Sequence, residues 1–472
     1  MTMKRIIKIQ LVIAALLTLN SCRDLFDNEL ITTNPNKVTD AAPETVLAGA
    51  LLGLGQLHED TDVRIAYMWS GQMTGSNRQH LALSQYIVSS ATFNWEDYYG
   101  VMADFRIVQN KSDELGDTWI KGIAQVGEAL IATKLVSLWG DAPYSEACDI
   151  EAFPTPKYDD QLTLYNEILA TLDNAISNLS QPTGSNPGDK DFIYGGDVEA
   201  WAAAAHTLKA RLYLHLGDYA NAITEAGLGI SSPTADALVP HGSSQDIDQN
   251  LNFSFFVNTR SGDTNFDSPA VLPGLMSANG FSRNGKTNEA ALYNHFFQLG
   301  AVVDGALDAN VNDDGFFAQD ASQPLLTFYE NQLILAEALA RTGEDADAME
   351  ALNSVRGVLA TGYINGRFIS EDNMALGIQY DDYIDGDFDT TEDLLYEIML
   401  TKYIVSLSQY ESFNDVRRLK KATPVISLGV SPIVGTRTGD IPGRFVYPTA
   451  EVVTNPNIAT ITDQFEKLPV FK

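Results

Sequence analysis

The chain has 472 residues, 45% of them hydrophobic, with 21 Phe, 19 Tyr and 5 Trp. That is enough for a large core and excludes a disordered or collagen-like chain. The formal net charge is −32, from 30 Lys and Arg against 62 Asp and Glu. So acidic a surface repels phosphate backbones and anionic membranes, which argues against a nucleic-acid partner. Two cysteines exclude a disulfide scaffold and a structural zinc site. No apolar run reaches the ~18 residues of a membrane-spanning helix.

Residues 1–21 read as a secretory signal peptide. Lys4, Arg5 and Lys8 form a positive start, and Leu11 to Leu17 a short apolar stretch. Leu19-Asn20-Ser21-Cys22 follows. It resembles the lipobox of bacterial lipoproteins, with Leu three residues before the Cys and a small residue directly before it. The resemblance implies that Cys22 is acylated and becomes the new N-terminus. Two or three acyl chains anchor stably where one does not. Residues 22–40, with Asn34-Pro35-Asn36, read as a lipidated tether. Cys148 is then the remaining thiol, expected as a small buried hydrophobe. Residues 41–472 are expected to form a single domain.

Helical periodicity begins at 122–138, where Ile123, Val126, Leu130, Ile131, Leu135 and Leu138 share a face. It resumes at 161–179 with Leu162, Leu164, Ile168, Leu169, Leu172 and Ile176. Two later stretches align with each other, LYLHLGDYANAITEA (212–226) and ALARTGEDADAMEAL (338–352). In both, a Gly and an acid end one helix (Gly217-Asp218, Gly343-Glu344), and an Ala five residues after the Gly (Ala222, Ala348) opens the next. A glycine C-cap and a small residue at the crossing are what an antiparallel helix pair needs. The pattern resembles the tetratricopeptide unit, but the spacing is too wide for a regular array. Gly-, Asn- and Asp-rich stretches at 181–199, 240–290 and 300–322 fit insertions. Short apolar pieces such as 251–257 are expected as strands there. The expectation is a mostly α fold: a tetratricopeptide-like helical-repeat scaffold with an irregular, partly β inserted subdomain at roughly 230–325.

Several stretches resemble the SusD/RagB family of Bacteroidota surface lipoproteins. Leu138-Trp139-Gly140-Asp141-Ala142-Pro143-Tyr144-Ser145-Glu146-Ala147 is similar to a family stretch, as is Lys209-Ala210-Arg211-Leu212. So are the late helix from Glu397-Ile398 to Phe413, Asp415, Arg417 and Arg418, and the closing Ile441-Pro442-Gly443-Arg444-Phe445-Val446-Tyr447-Pro448 with Glu451 and Asn455-Pro456-Asn457. The resemblance implies a lipid-anchored outer-membrane protein facing the exterior. It implies capture of an oligosaccharide or similar nutrient and delivery to a partner SusC-like TonB-dependent barrel, without catalysis or cofactor. The competing expectation is a non-catalytic structural or adhesive scaffold with a helical-repeat core and no small ligand.

Enzyme-like motifs are weak. Gly280 to Thr287 satisfies the phosphate-loop pattern, but Val271-Leu272-Pro273-Gly274 breaks the strand such a loop requires. It is read as a flexible polar loop. Asn310, Asn312 and Asp314 mimic the start of a calcium loop, but Ala321 stands where its closing acid belongs. The six histidines lack metal-ligand spacing, and acid pairs are too numerous in so acidic a chain to mark a catalytic dyad. Aromatic rings remain, since sugars stack their C–H faces on rings while amides and Arg hold hydroxyls. Residues 64–99 hold a dense set: Arg64, Tyr67, Trp69, Gln72, Asn77, Arg78, Gln79, Tyr86, Phe93 and Trp95. From it Trp69, Tyr67, Arg78, Tyr86 and Trp95 are the expected ligand contacts, with Phe281, Phe316 and Phe317 as a second patch. Tyr98, Met102 and Ile107 are expected to face the core, as are Trp139 and Trp201.

Overall fold

Aspartates open several of the helices. Asp117 accepts from the Ile120 amide, Asp160 from Thr163, Asp197 from Glu199 and Ala200, and Asp218 from Asn221. Each satisfies an otherwise orphan amide and sets a negative charge at the positive end of a helix dipole. Part of the acidic excess is thus spent on helix starts. The computed structural model describes residues 41–431, 440–458 and 463–472; the leader, the Leu19–Cys22 box and the tether lie outside them. Pro43–Lys472 forms one compact unit, and of the preceding unit Met1–Ala42 only the last two residues are described.

The helices run α1 (Pro43–Leu57), α2 (Thr61–Trp69), α3 (Arg78–Ser84), α4 (Glu96–Leu115), α5 (Thr118–Trp139), α6 (Gln161–Ser180), α7 (Val198–Leu216) and α8 (Tyr219–Ala226). After the insertion come α9 (Phe328–Thr342), α10 (Asp345–Ala360), α11 (Thr391–Val405) and α12 (Glu411–Leu419). Neighbours in this series pack on one another, α4 on α5, α5 on α6, α6 on α7 and α7 on α8; α8 then packs on α9, and α9 on α10 and α11. Gly217 and Gly343 cap their helices in the left-handed conformation, and Ala222 and Ala348 are fully buried at the crossings. Gly127 lets α5 approach α4, because a β-carbon there would lie 2.3 Å from Phe105. The mostly helical repeat scaffold read from the sequence is the fold observed.

The insertion contains only short strands. Ala237–Val239 pairs with Gln323–Leu326, Phe297–Leu299 with Leu307–Ala309, and Thr264–Asn265 with Thr74–Gly75. Residues 251–257 are not a strand. Asn250 caps a helical turn at Leu251–Phe253 that widens into a π-helix over Ser254–Thr259. Phe255 and Phe256 are buried on one side of it while Val257 stays exposed, so a helix serves this apolar run better than alternation. The 280–287 stretch is a tight hairpin, Ser282–Arg283 against Thr287–Asn288, and Lys286 reaches Asp387 at 2.5 Å. The helix Ala290–Phe296 opens only after the strand Thr287–Asn288, so Lys286 and Thr287 sit in the hairpin and not on a helix's first turn as a phosphate loop would require.

The residues that carry the family resemblance lie in the core. Arg211 of α7 grips Glu330 of α9 through two hydrogen bonds of 2.5 and 2.7 Å. His215 meets Glu411 at 2.6 Å, and Arg418 forks onto Glu337, which also takes Arg341. Burial opposes the ionised Glu411 and Glu337, yet the cations facing them hold both carboxyls below the usual range. Arg417 donates to the carbonyls of Ser137 and Gly443, and Arg444 to that of Trp139. The last segment is thereby tied to the end of α5.

Candidate functional site

The predicted aromatic platform is a core. Trp69 and Tyr67 are fully buried on α2, where residues 62–69 are all buried. Trp69 meets Tyr86, Phe413 and Phe445 edge-on, and its Nε1 donates to the Leu83 carbonyl at 2.9 Å. Tyr86 is buried, and Trp95, at the start of α4, packs among Tyr99, Trp139, Tyr158 and Tyr447. None of these rings presents a face on which a sugar could stack. Trp139 and Trp201 are core as expected, and so are Tyr98 and Met102, whereas Ile107 falls off their stripe and is exposed in favour of Phe105 and Val108.

The second patch is also largely a packing cluster. Phe317 is buried against Phe256 and Phe266, half-buried Phe316 against Phe296, and half-buried Phe281 against Tyr293. Phe281 and Phe316 do not meet directly. Arg78 alone among the candidates is exposed, and it pairs with Asp263. The calcium-like loop uses its donors on itself. The Asn310 amide donates to Asn294 while its oxygen accepts from the Asn312 amide, and the Asp314 carbonyl accepts from His295 if Nδ1 carries the proton. Among the described residues no group of three His, Cys, Asp or Glu side chains is placed to hold a metal.

What the fold leaves open is a polar cleft of about 940 Å³. One wall is the end of α1 with Gln56 and Leu57, followed by Glu59 and Asp60. The floor is the first turn of α2, with Asp62 and Arg64, and the facing wall is α4, with Asp97, Gly100, Val101 and Asp104. Gln79 and Asn94 border it, and Leu251, Ser254, Phe255 and Thr259 close it from the insertion. Arg64 and Gln79 belong to the set singled out from the sequence. Asp97, Asp104, Gln56 and Phe255 do not; they carry no motif, and residues about 200 positions apart meet only through the fold.

The cleft's inner charges are balanced internally. Glu59 is buried, faces His241 at 2.6 Å and accepts from the Leu251 amide at 2.7 Å. Burial works against a charged His241, but the Glu59 carboxylate outweighs it and raises the imidazole's pKa. Asp60 takes the buried Lys134 at 3.1 Å. Asp62 accepts from the Tyr98 hydroxyl at 3.1 Å; burial, then the neighbouring Asp60 charge, pushes its pKa well up. Arg64 lies over the Phe255 ring at 4.4 Å and donates to the Glu59 carbonyl at 2.5 Å, while its Nε has no partner among the described residues. The floor therefore offers a guanidinium on an aromatic ring, and the rim offers amides, hydroxyls and carboxylates. Such a set hydrogen-bonds a polyhydroxylated ligand from several sides.

Comparisons with known proteins bear on the family and the fold. A family model described as "Starch-binding associating with outer membrane", SusD-like, matches residues 35–243. No curated protein matches the chain. Among solved structures, a SusD/RagB family protein from Bacteroides thetaiotaomicron is similar at 21% identity, covering 88% of this chain and 95% of that one, with a TM-score of 0.68. A SusD homolog from Bacteroides fragilis is similar at 18%, covering 92% and 100%, with a TM-score of 0.67. A chitin-binding SusD homolog from Flavobacterium johnsoniae is similar at 14%, covering 90% and 98%, with a TM-score of 0.63. At these identities the structural likeness speaks for the fold. The resemblance to the SusD/RagB family read from the sequence is thus borne out, by the family model over residues 35–243 and by the fold over about nine-tenths of the chain.

Proposed function

We propose that this protein is a non-catalytic outer-membrane lipoprotein, displayed on the exterior. It binds an oligosaccharide in the cleft between α1, α4 and the insertion and delivers it to a TonB-dependent outer-membrane transporter. The observation that carries the reading is the cleft itself, roomy, polar, and floored by Arg64 on Phe255. The starch-binding description of the matching family model supports the ligand class, as does the chitin-binding neighbour. Lipid attachment at Cys22 supplies the anchor, since no helix among the described residues is long and apolar enough to cross a membrane.

The site differs from the one read from the sequence. Arg64, Gln79, Asn94 and Gln56 are the proposed hydroxyl partners, with Arg78 at the exposed edge of the same region. A glycan-array screen of the full chain, followed by pull-down from mildly solubilised membranes, tests both halves. The expected result is a saccharide ligand and a co-purifying barrel. A chain that binds no glycan and repeatedly purifies alone is the structural or adhesive scaffold instead.

A further inference from the structure

The cleft's inner carboxylates are matched, and its outer ones are not. Among the described residues, the side chains of Glu96, Asp97 and Asp104 have no hydrogen-bond or ion-pair partner. Asp104 is half-buried, and burial alone raises its pKa. A desolvated carboxylate without a counter-charge is costly, and a cation brought beside it recovers that cost. Arg64 is the only cationic side chain lining the cleft. It is about nine-tenths buried and already set against Glu59 and Phe255, so it leaves the outer wall uncompensated. Its Nε, buried and without a partner among the described residues, leaves one donor unsatisfied at the inner end.

The wall has a spacing. Asp97 and Asp104 are seven residues apart on α4, two turns along one face, hence about 10 Å. That is close to the length of two linked pyranose rings. Between them stands Gly100, in the second turn of α4, where a β-carbon would meet nothing within 4 Å. Glycine is disfavoured in a helix interior relative to alanine, and here no packing requires it. What it leaves is bare, open backbone between two acids, room for a ring to lie flat.

Resting on the saccharide reading above, we infer that the cleft selects a saccharide bearing amino groups and rejects one bearing acid groups. Asp97 and Asp104 receive ammonium groups on a sugar chain laid across Gly100. A uronate or sulfated chain meets the same wall as like charge.

The test is calorimetric titration of the full chain with three oligosaccharides of matched length: an N-acetylglucosamine oligomer, its de-N-acetylated form and an oligogalacturonate. The de-N-acetylated form should bind at least tenfold more tightly than the galacturonate. Its lead over the neutral form should shrink as salt rises from about 0.05 to 0.3 M, as screening shortens the reach of charge. Asp97→Asn with Asp104→Asn should abolish the lead at an unchanged melting temperature, while Glu114→Gln, at the far end of α4, should preserve it. Equal binding of neutral and amino forms, tighter binding of the galacturonate, or a lead that survives the double substitution overturns the inference and leaves the saccharide reading standing. Binding of none of the three overturns the inference, while the saccharide reading falls only if the glycan array also finds no ligand.

Discussion

Replacing Trp69 by Ala removes a fully buried indole from between Tyr86, Phe413 and Phe445 and deprives the Leu83 carbonyl of its donor. Truncating a core Trp costs about 3–5 kcal/mol, because contacts are lost and the cavity closes only in part. The unpaired carbonyl adds about 1 kcal/mol. Unfolding entropy near 2 cal/mol/K per residue gives a unit of this length roughly 0.9 kcal/mol per degree. Trp69→Ala should therefore lower the melting temperature by about 5 °C in scanning calorimetry. Affinity for a saccharide ligand, measured well below the transition, should stay within about twofold, because Trp69 does not line the cleft. A melting temperature shifted by less than about 1 °C, together with a tenfold loss of affinity, would refute the placement and make Trp69 a stacking platform after all.

Further outcomes follow from the same geometry. Glu337→Gln leaves Arg418 and Arg341 short of a buried counter-charge and should destabilise by about 3–5 kcal/mol in denaturant titration, although it lies far from the cleft. Burial, with Lys134 nearby, pushes the His58 pKa down to about 3, and burial pushes that of His295 to about 4. The unfolded imidazoles titrate near 6.5 and bind the extra proton first, so stability should fall as pH drops from about 6.5 toward 4, by about 3 kcal/mol from His58 alone. His58→Gln should flatten that slope, and equal slopes for parent and variant would count against it. Cys22→Ala should release the protein from the membrane fraction; retention after an alkaline wash would contradict lipid anchoring.

The scaffold was legible because its signals are local. A cap, a period of 3.6 and a glycine stop fit inside some twenty residues, so the pairs around Gly217 and Gly343 could be read directly. The candidate site was not legible, for two reasons. Aromatic density over 64–99 marks both a sugar platform and a core, and α2 faces the cleft only through its first turn, so the rings beyond it fill the interior. The residues that do line the cleft are ordinary ones, Gln56, Asp97 and Asp104, in no recognisable pattern. Only the packing of α1 against α4, and the helical turn at 251–253 folded over both, brings them to one opening. The resemblance was carried by Arg211, Arg417, Arg418 and Arg444, which hold the fold together and so identify the scaffold without touching the cleft.

The closing segment bears on how the molecule is made. Arg444 and Phe445 bond to the carbonyls of Trp139 and Leu138, the Tyr447 hydroxyl to that of Asp141, Gln464 to that of Tyr86, and the Val470 amide to the side chain of Gln161. Phe445 completes the aromatic cluster around Trp69 and Trp139. A chain made N-terminus first therefore exposes that cluster until its final thirty or so residues arrive. Contacts spanning some three hundred residues form slowly, and the half-made protein is sticky in the interval. A truncation that removes only the tail should yield aggregate rather than a smaller folded protein.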